Sequence, residues 1–109
     1  MVHLAATAAL ADDVRRELVR VADRLRVLGP RWTQRESPPA EVAAVRSALQ
    51  QLADLAADAA GDPRRSVPDL ALHALADQLL VLGHEVVVVA DAATLATVRD
   101  VLVGLRRSL

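Results

Sequence analysis

The chain has 109 residues and a net charge of −1. That is enough for one domain with a core of its own, and it argues against generic binding to nucleic acid or to an anionic membrane. Cysteine and lysine are both absent, which excludes disulfides, thiolate metal centres, cysteine nucleophiles and Schiff-base lysines. Phe, Tyr and Ile are absent and Trp32 is the only aromatic, so the core must be built from Leu, Val and Ala, a composition rich in helix formers.

In chain order, Leu4, Thr7, Ala11, Val14, Leu18, Val21, Leu25 and Leu28 recur at steps of three and four, with charged residues between them. This rhythm predicts a long amphipathic helix, ended by Gly29-Pro30. Residues 31–37 then form a loop. A second helix opens with Ser37 as its cap and Pro38 at its first position. Its seam is Val42, Val45, Leu49, Leu52, Ala56 and Ala59, and Gly61-Asp62-Pro63 closes it.

The third helix is predicted from Ser66, Pro68 and Asp69 onward. Leu72, Leu75, Leu79, Leu82, Val86 and Val89 form its seam. A second stripe lies roughly opposite: Leu70, Leu80, Val81, Val87 and Val88, with His73, Asp77 and His84 among them. A helix apolar on two faces needs two partners. The β-branched run at residues 85–90 also suits a strand, but nothing else in the chain could pair with it, so it reads as the end of this helix. Asp91 caps a fourth helix with the seam Leu95, Val98, Leu102, Leu105 and Leu109; Arg106 and Arg107 sit in its last turn.

The two halves resemble each other. Residues 22–29 (ADRLRVLG) match residues 76–83 (ADQLLVLG) at an offset of 54, which also places Leu18 on Leu72 and Val21 on Leu75. With a slip of one residue, Val45, Arg46, Leu49 and Leu52 fall on Val98, Arg99, Leu102 and Leu105. The expected fold is therefore all-α: an antiparallel, up-down-up-down four-helix bundle made of two tandem helical hairpins by internal duplication. One domain spans residues 1–109, with hairpins at about 3–60 and 66–109.

Three residue groups could carry function. His73, Asp77 and His84 share a helical face, and a carboxylate one turn from an imidazole can hold it by a hydrogen bond. As a metal site the trio is poor, because Asp77 and His84 are about 10 Å apart along a helix and His3 is the only other histidine. A structural or interface polar spot fits better. Arg31, Trp32 and Arg35 combine the residue types of partner contacts and stacking platforms, although a lone large ring more often lids a bundle. Arginines dominate residues 14–35 and acids dominate residues 36–62, which separates charge along a hairpin.

No glycine-rich phosphate loop, Gly-x-Ser-x-Gly or His-Glu-x-x-His occurs. The expectation is a non-enzymatic protein without metal or cofactor. Its function would be protein–protein interaction, as a homo-oligomer (a dimer) or with a helical partner, through Leu70, His73, Asp77, Leu80, Val81, His84, Val87 and Val88. A small-ligand or metal-binding bundle using His73, Asp77 and His84 is the alternative. A nucleic-acid-associated regulator using Arg24, Arg26, Arg31, Trp32 and Arg35 is the weaker one. The apolar start lacks a basic flank, and charges interrupt the third helix, so a cytoplasmic protein without a membrane segment is expected.

Overall fold

A computed structural model describes residues 2–109, with side chains from Leu4 onward; the side chain of His3 lies outside the described residues. Four helices form: α1 (Val2–Thr33), α2 (Ala40–Ala60), α3 (Leu75–Val89) and α4 (Ala92–Ser108), with one 3-10 turn at Leu72–Ala74 leading into α3. Among the described residues there is no strand, and residues 85–89 are helical.

Three predicted boundaries are corrected. α1 runs through Gly29-Pro30 to Thr33, with Pro30 inside the helix. Proline clashes with the Cβ of the residue before it; at Gly29 there is no Cβ to meet. α2 starts at Ala40, and Pro39 rather than Ser37 occupies its N-cap position, without a side-chain cap. Pro38 precedes a proline and is therefore steered away from helical backbone. At the far end, Gly61 takes the left-handed conformation (φ 72°) and its N–H, with that of Asp62, closes onto the carbonyls of Asp58 and Ala57.

The third correction is the largest. The chain from Asp62 to Ala71 is not helical, so Leu70 does not belong to the face of α3. These residues form an extended strap that runs back along α2, in the order Arg64 beside Asp58, Arg65 and Val67 beside Gln50, Leu70 beside Arg46. The crossover sets the topology. α3 starts near the α2 N-terminus and runs parallel to α2, not antiparallel to it as up-down-up-down order requires.

Relative to α1 the directions are equally clear. α3 is antiparallel to it: Leu72 lies by Gly29, Asp77 bonds Arg26 at 3.4 Å and Gly83 abuts Leu18. α4 is parallel to it: Arg99 reaches Asp13 at 3.9 Å, Arg106 reaches Glu17 at 3.0 Å and Arg24 donates to the Leu109 carbonyl at 3.2 Å. α1 packs on α3 and α4, and so does α2. α1 and α2 therefore occupy one diagonal, and α3 and α4 the other. Arg106 and Arg107 consequently sit beside the middle of α1, not at the acidic end of the first hairpin.

Most residues of the predicted seams form the core, while Leu4, Ala59 and Val89 of those seams are exposed and Val87 from the opposite stripe is buried. Val14, Leu18, Val21, Leu25, Val45, Leu49, Leu52, Leu75, Leu79, Val86, Leu95, Val98 and Leu102 are all buried. Trp32 joins them with 6% of its surface exposed. The tightest approach is at Gly83, where an added Cβ would overlap both Cδ atoms of Leu18 and lie 3.0 Å from its Cγ.

Two predictions follow from this packing. Gly83→Ala forces a methyl into the fully buried Leu18, and should cost about 1–3 kcal/mol despite alanine's better helix propensity. Gly104→Ala on α4 meets nothing within 4 Å and should stabilise by about 1 kcal/mol. Chemical denaturation of the pair checks both signs. The second prediction concerns the α4 cap, where Asp91 Oδ1 accepts the Thr94 N–H at 2.8 Å. That bond holds the Asp91 carboxyl below its ordinary range. Its folded value being depressed, the contribution is complete above the unfolded value near 3.9 and disappears as pH falls through the folded one. The stability gap between wild type and Asp91→Asn, followed by melting temperature against pH, should therefore be constant near neutrality and close in acid.

Candidate interaction groove

The strap is held by side chains acting on its backbone. Gln50 of α2 clamps it twice: Nε2 donates to the Arg65 carbonyl at 3.0 Å, and Oε1 accepts the Val67 N–H at 2.9 Å. Arg46 donates to the Leu70 carbonyl at 2.9 Å and Gln78 of α3 to that of Pro68 at 2.9 Å. Arg64 binds both carboxylate oxygens of Asp58 at 3.0 and 2.7 Å, which draws the Asp58 carboxyl below its ordinary range. An extended segment has no ladder partner of its own, so these bonds replace the ones a helix would have made. Arg46 Nη1 and Gln78 Oε1, on either side of the strap, are buried without a hydrogen-bond partner.

Strap, α2 and α3 together enclose a groove of about 970 Å³. Its α2 wall is Ala53, Ala56, Ala57 and Ala60; its α3 wall includes Gln78, Val81, Leu82, Glu85, Val88 and Val89; Val67, Pro68 and Leu70 of the strap close the third side. Because alanine sets the floor, the two helices leave space that larger side chains would have filled. Val88 is 84% exposed and Val81 57%. Acids mark the rim at Asp62, Asp77 and Glu85, against Arg65 alone. Asp77 is engaged by Arg26, whereas Asp62 and Glu85 make no ion pair among the described residues.

A second cleft, about 690 Å³, lies between α1 and α4 and is different in kind. It is lined by Arg16, Arg20, Arg99, Arg106 and Arg107 with Asp13, Glu17 and Asp100. Glu17 is the buried acid of the structure, taken by Arg106 through Nε at 3.0 Å and Nη2 at 3.3 Å and by Arg20 at 3.2 Å. Arg16 is paired with Asp13. Arg16, Arg20 and Arg106 are bonded to acids of the same cleft, and with five arginines against three acids the lining stays net positive.

The sequence-predicted interface residues are divided by the fold. Val81, Val88, His84 and Asp77 are exposed on α3, and Leu70 is exposed on the strap. Leu80 is half-buried against the core, and Val87 is 8% exposed and belongs to it. His73 sits in the 3-10 turn beside a 360 Å³ cleft with Gly29, Pro30 and Thr33. The trio is thus not a single surface: His73 faces the end of α1, Asp77 faces Arg26, and His84 lies two turns further on. No group of three or more His, Cys, Asp or Glu side chains among the described residues could hold a metal ion. Arg31 and Arg35 are exposed but the Trp32 ring between them is buried, so that cluster offers a partner guanidinium groups without the indole.

The groove itself was not visible in the sequence. Its walls are alanines, which carry no periodic signal on the outer face of α2, and a strap that reads as a helix start. The one available hint was Pro63, Pro68 and the paired arginines between them, a composition that disfavours helix. The clamp can be tested directly. Gln50→Ala removes both bonds to the strap and should accelerate tryptic cleavage after Arg64 and Arg65 and amide exchange at Val67, leaving the helices intact by circular dichroism. Unchanged cleavage would mean that Gln50 does not hold the strap.

Comparison of the chain with protein-family models, with curated proteins and with solved structures returns no match.

Proposed function

We propose that this chain is a non-enzymatic, cytoplasmic interaction module that self-associates through α3 and the groove beside it. The observation that carries the reading is the imbalance of the third helical segment. Leu72–Val89 is, by length and composition, apolar enough to cross a membrane, yet only 33% of it is buried within the fold. A contiguous exposed apolar surface of this kind marks a contact face. A protein partner suits it better than lipid. Leu75, Leu79 and Val86 on the same segment are committed to the core, and Asp77, His84 and Glu85 would have to be dragged into hydrocarbon.

The same reading includes an internal duplication. Its support is positional. Val21 and Leu75, Ala22 and Ala76, Leu25 and Leu79, Val45 and Val98, Leu49 and Leu102 are buried pair by pair, while Asp23 and Asp77, Val27 and Val81 are exposed pair by pair. Leu18 meets Gly83, and at the same offset Leu72 lines a cleft with Gly29. A twofold axis that exchanges α1 with α3 and α2 with α4 preserves both the directions and the neighbours of all four helices. On this account the α2–α3 groove and the α1–α4 cleft are equivalents that diverged, one apolar, the other charged and bridged by Glu17 and Arg106 from its two walls.

Light scattering at micromolar concentration tests the reading. Wild type should run as a multiple of 11.6 kDa, and Val88→Arg should shift it to a monomer that keeps its helical circular dichroism, because Val88 lies outside the core. Leu80→Asp is a poorer probe, since Leu80 is packed against the core. A monomeric wild type, or an oligomer indifferent to Val88→Arg, would remove self-association through this face.

A further inference from the structure

We infer that the occupant of the α2–strap–α3 groove is the outer face of α1 from a second copy of the chain, seated ridge in groove so that copies join head to tail. The inference rests on the self-association reading and names the surface that meets the groove.

The fold sorts charge that the net value of −1 conceals. α1 holds six arginines against four acids and α4 three against one, so each carries +2. α2 holds one arginine against three acids, and α3 two acids and no arginine, so each carries −2. The strap is balanced, with Arg64 and Arg65 against Asp62 and Asp69. α1 packs beside α4, and α2 beside α3. One layer of the bundle is therefore basic, and the other, which contains the groove, is acidic.

The exposed apolar side chains divide in the same way. Apart from Leu4, the large ones are Leu70, Val81, Val88 and Val89 in the groove, and Val19 and Val27 on α1. At about 100° per residue, Arg16, Val19, Arg20, Asp23, Val27 and Arg31 share an arc of about 120° on the side of α1 opposite Leu18 and Leu25. All six are exposed. Asp23 is held by Arg26 of the same helix at 3.4 Å, and Arg31 has no ion pair among the described residues. The chain thus has two exposed apolar patches of opposite character. One is convex and set among arginines; the other is concave and rimmed by acids.

The two fit. Val19 and Val27 are about 12 Å apart along α1, and Val81 and Val88 about 10.5 Å apart along α3. The floor of Ala53, Ala56 and Ala57 lets an incoming helix approach toward the short end of the usual range of about 8–10 Å. Arginine stems lie over apolar surface while their guanidinium ends reach the rim, where Asp62 and Glu85 lack an ion pair. Charge also selects against the symmetric pairings. Groove on groove sets Asp62, Asp77 and Glu85 of both copies together, and ridge on ridge does the same with the arginines; like charges across a contact suppress association. Because α1 stands diagonally across from α2, its outer face and the groove point away from each other. A copy seated in one leaves the other open, so the contact is heterologous and growth continues to a ring or an open chain.

The test uses two full-length variants and their mixture. Val27→Glu puts an acid on the ridge and Val88→Arg a cation in the groove; both positions are exposed, and circular dichroism melts verify that both proteins fold. Wild type should grow past two copies as its concentration rises. Each variant alone has one spoiled surface, which enters every junction it makes with itself, so its dissociation constant should rise on the order of a hundredfold. Mixed, the ridge of Val88→Arg and the groove of Val27→Glu are both native, and the other junction sets the new acid against the new cation. Sedimentation should therefore recover a complex of the two variants at a concentration where each alone is monomeric. If wild type is a monomer, or its oligomer is indifferent to Val88→Arg, self-association through the groove falls. If Val88→Arg dissociates the assembly and Val27→Glu does not, self-association stands and α1 is not the occupant. A wild-type assembly that saturates at two copies, or two dissociating variants whose mixture restores nothing, overturns the head-to-tail contact.

Discussion

Leu18 resting on the bare backbone of Gly83 fixes the distance between α1 and α3, and the rest of the fold adjusts to it. With one aromatic in 109 residues, the chain cannot fill wide gaps between helices. It must bring them close, and a glycine opposite a buried leucine does so at the midpoint of α1. Once α3 is seated antiparallel to α1, a loop of two residues turns the chain into α4 alongside the other flank of α1. α2 then covers both from the far side. Every helix gains two neighbours, and the diagonals fall to α1 with α2 and to α3 with α4.

That diagonal arrangement is possible only because of the strap. Connecting the end of α2 to a parallel α3 requires the chain to travel the length of α2, and residues 62–71 do this in extended form. An extended segment on a helical surface has unpaired amides and carbonyls along both edges. Gln50, Arg46 and Gln78 satisfy four of these groups, which makes the strap part of the structure and leaves a hollow beside it. The groove is thus a by-product of the topology, and its apolar character comes from the alanines that α2 presents there.

Much of this was legible in the sequence, and what was not has a common cause. Steps of three and four identified the core leucines and valines of all four helices, because burial on one face imposes that period on each. The cap at Asp91 and the stop at Gly61 were legible because each is a local geometric requirement. The strap was misread because Ser66-x-Pro68-Asp69 satisfies the local rules for a helix start, while its extended form is held by side chains contributed from 10 to 24 residues away. Gly29-Pro30 failed the same way: glycine before proline can stop a helix or let one pass, and the choice belongs to the packing at Trp32. Of the second stripe read on α3, Val81 and Val88 are exposed, while Val87 is inside the core, Leu80 is packed against it and Leu70 is off the helix altogether.

The two clefts differ in what they leave exposed, apolar side chains on one side and charged ones on the other. Both are formed by a pair of parallel helices, and on the proposed duplication both descend from one ancestral surface. Between α1 and α4 the cleft gained Glu17, Arg20 and Arg106, whose mutual bonds satisfy the charges within the chain and leave a partner little to gain from displacing them. Between α2 and α3 the corresponding positions stayed small and apolar, and the acids that remain at the mouth, Asp62 and Glu85, are unpaired. Water is a poor partner for the valines of the α2–α3 groove and an adequate one for the arginines of the α1–α4 cleft. Four of the exposed large apolar side chains, Leu70, Val81, Val88 and Val89, line the α2–α3 groove, so that is where covering the surface would release the most free energy.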